Sequence, residues 1–278
     1  MLLGGEISLS SEVSSQYISA LMLIAPSLKN GLVISLEGSV TSRPYIEMTS
    51  SILNRVGIKS SFKENKISIQ SVKLLEKSIQ KVESDWSSLS YFYSIVAMSK
   101  YSELNIGSYN INSIQGDKKL VEIYKNFGVQ TSFSNDIITI KKIESKDLNK
   151  SLKLDLSDTP DIAQTIAVTC FGLGLSCDLN GLHTLKIKET DRLEALKVEL
   201  TKMGAIVSIT KDSFHLKKSS EIKSNITIET YNDHRMAMAF TPLAICKPII
   251  INNPDVVSKS FPDFWDHLKG MNFLISKN

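Results

Sequence analysis

Six short polar clusters stand out for the chemistry their side chains could do together. They are Ser14-Ser15-Gln16, Ser42-Arg43-Pro44, Asp158-Thr159-Pro160-Asp161, Lys188-Glu189-Thr190-Asp191-Arg192, Tyr231-Asn232-Asp233-His234-Arg235 and Ser258-Lys259-Ser260-Phe261-Pro262-Asp263. Each precedes a stretch with helical apolar periodicity. A helix N-terminus exposes unpaired N–H groups and a partial positive charge, so it favours anions. Arg43, Lys188, Arg192, Arg235 and Lys259 at such places predict several cationic sites for phosphate or carboxylate groups. Asp85, Ser87, Ser88 and Asp117 also lie before helical stretches, and there helix capping is the expected role. His215 and His267 read as surface residues, and His234 as a residue that orders its neighbours. No nucleophile–histidine–carboxylate grouping, P-loop or dinucleotide fingerprint is found, and no Cys/His grouping has metal-ligand spacing.

The elements that must position these clusters repeat along the chain. Four segments, 4–72, 78–143, 151–219 and 225–278, share one layout. Each opens on a strand-like run: Glu6-Ile7-Ser8-Leu9, Ile79-Gln80-Lys81-Val82, Leu152-Lys153-Leu154-Asp155 and Ile226-Thr227-Ile228-Glu229. A polar cluster, a helix, a strand, a second cluster, a second helix and further strand follow. Equivalent positions Ser15, Ser88, Ile162 and His234 are 73, 74 and 72 residues apart. Gly57, Gly128 and Gly204 end the second helices, where the left-handed conformation is common, with Gly270 a weaker counterpart. Leu193, Leu196, Leu200 and Met203 fall on one helical stripe. A unit of this kind leaves an apolar face uncovered and must pack on its neighbours. The spacing alone does not say whether helices or sheets form the interior. Lys73–Lys81 is the expected linker, and Glu144-Ser145-Lys146-Asp147 marks another unit boundary.

Composition sets the outer limits. The chain has 278 residues, 42% hydrophobic and 22% charged, which fits one large or two medium globular domains. A net charge of +3 is too weak to argue for nucleic acid or a membrane surface as partner. No run of 18 apolar residues and no secretory leader pattern is seen. Cys170, Cys177 and Cys246 lie in apolar surroundings and read as buried free thiols, which fits a cytoplasmic protein.

Five of the motifs, in order, resemble those of the EPSP synthase (3-phosphoshikimate 1-carboxyvinyltransferase) family. They are Ser14-Ser15-Gln16-Tyr17, Ser42-Arg43-Pro44-Tyr45-Ile46, Lys188-Glu189-Thr190-Asp191-Arg192-Leu193, Tyr231-Asn232-Asp233-His234-Arg235-Met236-Ala237-Met238 and Ser258-Lys259-Ser260-Phe261-Pro262. The resemblance implies an α/β (α+β) fold of repeated βαβαββ units in two lobes of three units each. Four units are counted here. The expected division is therefore residues 1–75 as one unit of a partial first lobe and 76–278 as a second lobe. The family's earlier pieces, a Lys-Ser pair, two arginines and an Asn-Ala-Gly-Thr segment, have no counterpart, so a chain starting inside the first lobe is expected.

The resemblance also implies a reaction. The enolpyruvyl group of phosphoenolpyruvate passes to the 5-hydroxyl of shikimate 3-phosphate, through a tetrahedral ketal, with release of phosphate. It implies no metal or other cofactor and a monomer whose partners are these two small molecules. By motif match Asp161 is the base and Glu189 the proton donor, with Lys188 as alternative or assistant. Ser14, Ser15, Gln16, Ser42, Asp161, Thr184 and Lys188 would hold shikimate 3-phosphate; Thr184 stands where many relatives have Asn. Gln16, Arg192, Arg235 and Lys259 would hold phosphoenolpyruvate. The cations flanking Glu189 lower a carboxylate's pKa, which opposes a proton-donor role. Three other readings stay open: a non-catalytic remnant that binds shikimate 3-phosphate, the UDP-N-acetylglucosamine enolpyruvyl transferase, which lacks the Lys-Glu-Thr-Asp-Arg run, and a purely structural repeat protein.

Overall fold

The computed structural model of the protein describes residues 2–11, 13–74, 76–144, 151–219 and 221–277. The boundary run at 145–147 lies outside them. The first unit is β1 (Gly5–Ser10), α1 (Ser15–Ile24), β2 (Leu32–Glu37), α2 (Arg43–Arg55), β3 (Ser60–Lys63) and β4 (Lys66–Ile69). Its sheet runs β1-β2-β4-β3, with β1 parallel to β2 and the rest antiparallel. Alternation in β2 turns Leu32, Ile34 and Leu36 onto the helices. Together with Ile18, Met22, Ile46, Leu53 and Ile67 they form a core of their own.

The second unit comprises α3 (Trp86–Met98), β5 (Glu103–Gly107), α4 (Leu120–Lys125), β6 (Val129–Ser134) and β7 (Ile137–Lys142). The third comprises β8 (Leu152–Asp155), α5 (Ala163–Gly172), β9 (Cys177–Asn180), α6 (Arg192–Lys202), β10 (Val207–Ile209) and β11 (Phe214–Leu216). Its sheet order, β8-β9-β11-β10, repeats that of the first unit. The fourth comprises β12 (Ile226–Ile228), α7 (His234–Phe240), β13 (Ile249–Ile251) and α8 (Phe264–Gly270), with β12 parallel to β13.

Helices form the interior. In α3 and α5 nearly every residue is buried, and so is every residue of α7 from His234 to Phe240 except Arg235. Helices apolar all round have no face to give to water, so they pack on one another and the sheets lie outside. Where α3 meets α5, small hydroxyl residues let the backbones approach. Ser90 and Thr165 hydroxyls are 3.0 Å apart, and Ser94 and Thr169 hydroxyls 2.8 Å apart. One core joins the second, third and fourth units, from Trp86 to Leu268. Cys170 and Cys177 are buried within it as free thiols; Cys246 is half-buried.

Gly57, Gly128 and Gly204 take φ of 88°, 71° and 104°, as the helix-ending pattern requires. At the end of α8 the left-handed residue is Asn272, φ 64°, and not Gly270. Gly181, φ 75°, serves the site directly. A Cβ there would lie 2.5 Å from Ser157 N, so only glycine lets the end of β9 approach the loop that leads to Asp161.

The expected strand Ile79–Val82 does not form. Ile79 and Val82 are fully or nearly fully exposed, and Lys81 pairs with Asp136 in the β6–β7 turn at 2.5 Å. These residues connect the first core to the second, between Ile69 and Trp86. Just after the run, Ser84 N donates to Ser108 O at 2.8 Å, as Ser11 N does to Glu37 O after β1, so the run comes alongside the end of β5 without closing a ladder.

Candidate functional site

Asp161 stands in the one-turn helix Pro160–Ile162 that leads into α5. Its Oδ1 lies 3.1 Å from Arg192 Nη1 and 3.5 Å from Lys188 Nζ, and its Oδ2 lies 3.2 Å from Arg235 Nη2. Lys188 and Arg192 come from the entry to α6 and Arg235 from the first turn of α7. Two helix starts thus deliver three cations to a carboxylate at a third. Burial alone would raise the pKa of Asp161, but Arg235, Lys188 and Arg192 outweigh it and hold the carboxyl well below the usual carboxylate range.

Arg192 is the hub. Its side chain is 2% exposed. Nε donates to Asp233 Oδ2 at 2.6 Å, Nη1 to Asp161 Oδ1 at 3.1 Å and Nη2 to Glu189 Oε2 at 2.7 Å. Asp233 is fully buried and also caps α7 by accepting from Arg235 N at 2.8 Å. Asp191 caps α6 through Leu193 N and Glu194 N. The rigid guanidinium fork suits this convergence, which a lysine could not reproduce.

Glu189 completes the cluster. Its Oε1 accepts from Lys259 Nζ at 2.6 Å, and His234 Nδ1 lies 3.8 Å away. Burial again raises its pKa, yet the hydrogen bond from Lys259 and the charge of Arg192 bring it down to about 2. His234 is pushed down, first by burial and then by Arg235, so its imidazole is neutral at pH 7. Its Nδ1 is buried without a hydrogen-bond partner among the described residues. Glu189, Asp233 and His234 offer ligand atoms within 4.8 Å of one another. Both carboxylates are already committed to Arg192, so a metal there would face a buried guanidinium.

Lys188, Arg192, Arg235 and Lys259 therefore converge on Asp161, Glu189 and Asp233. Four cations against three carboxylates leave a surplus of positive charge for small anions.

Two sequence expectations need correction. Arg43 does not join the cationic site. Its Nε pairs with Glu47 at 2.9 Å, its Nη1 donates to Glu64 O at 3.0 Å, and its guanidinium lies 4.1 Å over Phe62. Two local partners on its own unit and an aromatic face outcompete a distant site. Asp117 is not a cap. It is buried and accepts the Tyr45 hydroxyl at 2.6 Å, so it joins α2 to the second unit.

The other predicted residues are distributed as follows. Ser14 caps α1, its Oγ accepting from Gln16 N at 3.3 Å; Ser15 is half-buried and Gln16 exposed at that helix end. Ser42 is buried with φ 52°, and its N–H donates to Ser157 O at 2.8 Å, four residues before Asp161. This bond sets the start of α2 against the Asp161 loop. Thr184 is buried, and its hydroxyl has no partner among the described residues. His215 is half-exposed between Asp178 and Ser213. His267 is exposed and packs against the Phe92 and Phe261 rings.

The Tyr45–Asp117 contact has a pH signature. Burial, the largest influence, raises Asp117 to about 7, against the lowering effect of the Tyr45 hydrogen bond. Between its ordinary value of 3.8 and about 7, the unfolded chain has lost this proton and the folded chain keeps it. Stability from this group therefore falls as pH rises through that window. Asp117→Asn keeps an acceptor for Tyr45 and removes the titration. Its Tm relative to the unsubstituted chain is expected to be higher at pH 8 than at pH 4, measured by thermal melts at both. An equal difference at the two pH values would reject the assignment.

Comparison with known proteins gives the family. A family model described as EPSP synthase (3-phosphoshikimate 1-carboxyvinyltransferase) matches residues 2–268. A 3-phosphoshikimate 1-carboxyvinyltransferase of Bacteroides fragilis is 42% identical over 278 residues, covering 98% of this chain and 67% of the relative. That of Colwellia psychrerythraea is 33% identical, covering 96% and 62%. The solved EPSP synthase of Acinetobacter baumannii superposes with a TM-score of 0.75 at 21% identity, over 97% of this chain and 62% of that one, which is a likeness of fold. The chain spans about two thirds of the length of these relatives. With its motifs, its unit topology and a family match over nearly all its residues, the chain belongs to the EPSP synthase family.

Proposed function

We propose that the protein carries the transfer of the enolpyruvyl group from phosphoenolpyruvate to the 5-hydroxyl of shikimate 3-phosphate. The observation that carries this reading is the Asp161 carboxylate ringed by Lys188, Arg192 and Arg235, with Glu189 and Lys259 beside it. The reaction needs a base for a hydroxyl, an acid for the enol carbon, and cations for two phosphates and carboxylates. Asp161 takes the hydroxyl proton as the oxygen bonds to the central carbon of phosphoenolpyruvate. A proton is delivered to the methylene carbon, giving the ketal. Loss of that proton's equivalent and of phosphate then restores the double bond.

The electrostatics bear on the choice of proton donor. Glu189, at about 2, is anionic in the ligand-free protein. It becomes a donor only if substrate anions draw Lys259 and Arg192 away from it. Lys188, 3.5 Å from Asp161, is a second candidate, because an ammonium already carries a proton. Lys259, Arg235 and Lys188 would take the anionic groups of the substrates; Arg192, expected among the phosphoenolpyruvate residues, is buried against Asp233 and would act by holding the carboxylates. Ser42, at the start of α2, faces the same loop from the first unit.

The test is phosphate release by the 278-residue chain with both substrates, run beside thermal melts with each alone. Shikimate 3-phosphate at about a hundredfold excess over its Kd is expected to stabilise the chain by about 2.7 kcal/mol. Turnover that needs both substrates supports the reading. A chain that releases no phosphate and whose melting is unmoved by either compound would overturn it. A stabilised chain without turnover would favour a binding role alone. Among the described residues, no helix is long and apolar enough to cross a membrane.

A further inference from the structure

The turn that aims Arg235 is held in a conformation that one of its residues disfavours. Thr230–Asp233 is a tight turn, closed by Asp233 N donating to Thr230 O at 2.8 Å. Both central residues are left-handed, Tyr231 at φ 54° and Asn232 at φ 56°. Asparagine tolerates that region, but a bulky tyrosine rarely enters it. Such a conformation persists only where the surroundings impose it. Burial of the ring does not impose it here, since Tyr231 is 38% exposed.

Glu199 supplies the restraint. It is fully buried on α6. Its Oε1 accepts the Tyr231 hydroxyl at 2.6 Å, and its Oε2 accepts Glu229 N at 3.2 Å. Lys202 Nζ lies 2.8 Å from both oxygens, so the buried carboxylate keeps a cation as partner. Glu199 follows Arg192 by seven residues on α6. That is about two helical turns, so both side chains leave the same face of the helix. α6 therefore grips the connection between β12 and α7 twice. Glu199 takes Glu229 and Tyr231, and Arg192 takes Asp233 at 2.6 Å. Two residues beyond Asp233, Arg235 donates to Asp161 Oδ2 at 3.2 Å and to Asp161 O at 3.4 Å. Free rotation about the left-handed pair would carry Arg235 off this carboxylate.

We propose that Glu199 is a positioning residue for the reaction: through the Tyr231 hydroxyl and the Glu229 amide it fixes the left-handed turn that sets Arg235 beside Asp161, where Arg235 takes an anionic group of phosphoenolpyruvate. The identity of that ligand rests on the enolpyruvyl-transfer reading; the tether does not.

The test is Tyr231→Phe in the intact chain, which removes one hydroxyl and leaves Glu199 paired with Lys202. Glu199→Gln is the second variant, since its amide nitrogen cannot accept from Glu229 N. In both, amide exchange at Asp233 and Arg235 is expected to speed up by about tenfold or more. Exchange at Leu193 and Glu194, whose amides Asp191 caps, is expected to stay as it was. In phosphate release, KM for phosphoenolpyruvate is expected to rise about tenfold, the worth of one hydrogen bond to a charged group, with KM for shikimate 3-phosphate unchanged. The proposal fails if exchange at Asp233 and Arg235 is unaltered, or if it rises equally at Leu193 and Glu194, the mark of a residue that only supports the fold. It also fails if KM for phosphoenolpyruvate moves no more than KM for shikimate 3-phosphate. An unsubstituted chain that releases no phosphate counts against the enolpyruvyl-transfer reading instead, and the exchange pattern then decides the tether by itself.

Discussion

Asp161→Ala is expected to lower kcat for phosphate release by about 10²–10⁴-fold, the usual worth of a positioned base, while binding of shikimate 3-phosphate persists. The electrostatics decide the second half of this expectation. Asp161 contributes the one negative charge shared by Lys188, Arg192 and Arg235. Removing it leaves four cations against Glu189 and Asp233, so the site becomes more attractive to phosphate and carboxylate groups. A fall in kcat with unchanged or lower KM is the pattern for a group needed in the transition state rather than for binding. Asp161→Asn refines the reading. The amide retains the shape and one acceptor but no basic oxygen, so it is expected to lose turnover almost as fully as alanine. Phosphate release and thermal melts with shikimate 3-phosphate check both variants. Unchanged kcat in either would reject Asp161 as the base, and loss of ligand-dependent stabilisation in both would make it a binding residue instead.

The residues themselves show why some of this could be read from sequence and some could not. Repeat spacing and helix-ending glycines located the units, because left-handed φ at Gly57, Gly128 and Gly204 is a local demand with a local signature. The apolar content of α3, α5 and α7 was legible too, but whether helices or sheets lay inside depended on how units stack, which no single unit encodes. Ile79–Val82 has strand composition and forms no strand, since pairing is a property of the neighbour. Position before a helix marked Lys188, Arg235 and Lys259 as cations with a shared direction. That Arg43, in the same grammatical place, bends back to Glu47 and Glu64 is decided by partners four and twenty-one residues away. Asp117 looked like a cap because caps are local, while Tyr45 meets it across 72 residues. The depth of Arg192 was equally hidden. A run of alternating charges reads as a solvated turn until the three carboxylates that surround the guanidinium are seen.

That depth makes Arg192→Met the substitution with the largest expected cost to stability. Methionine fills much of the space and removes the charge, leaving Asp233 buried and Asp161 and Glu189 close to it without their common partner. Breaking a buried ion pair from one side costs about 3–5 kcal/mol, which lowers Tm by on the order of 10 °C for a chain of this size. The loss has a definite pH dependence. Asp161 and Glu189 have folded pKa values below their ordinary 3.8 and 4.5. Their contribution is fully present above those ordinary values and is lost as pH falls toward about 2 for Glu189. Without Arg192 the same groups have less to lose. The stability gap between the unsubstituted chain and Arg192→Met is therefore expected to be widest above pH about 5 and to narrow as pH falls below about 4. Denaturant titrations at pH 7 and pH 4 measure it. Adding Asp233→Asn to Arg192→Met should recover part of the loss, because the most deeply buried of the three charges no longer needs a cation. A gap that stays constant with pH, or a double variant no more stable than the single one, would show that Arg192 acts through packing and not as the cation that lets three carboxylates share one buried site.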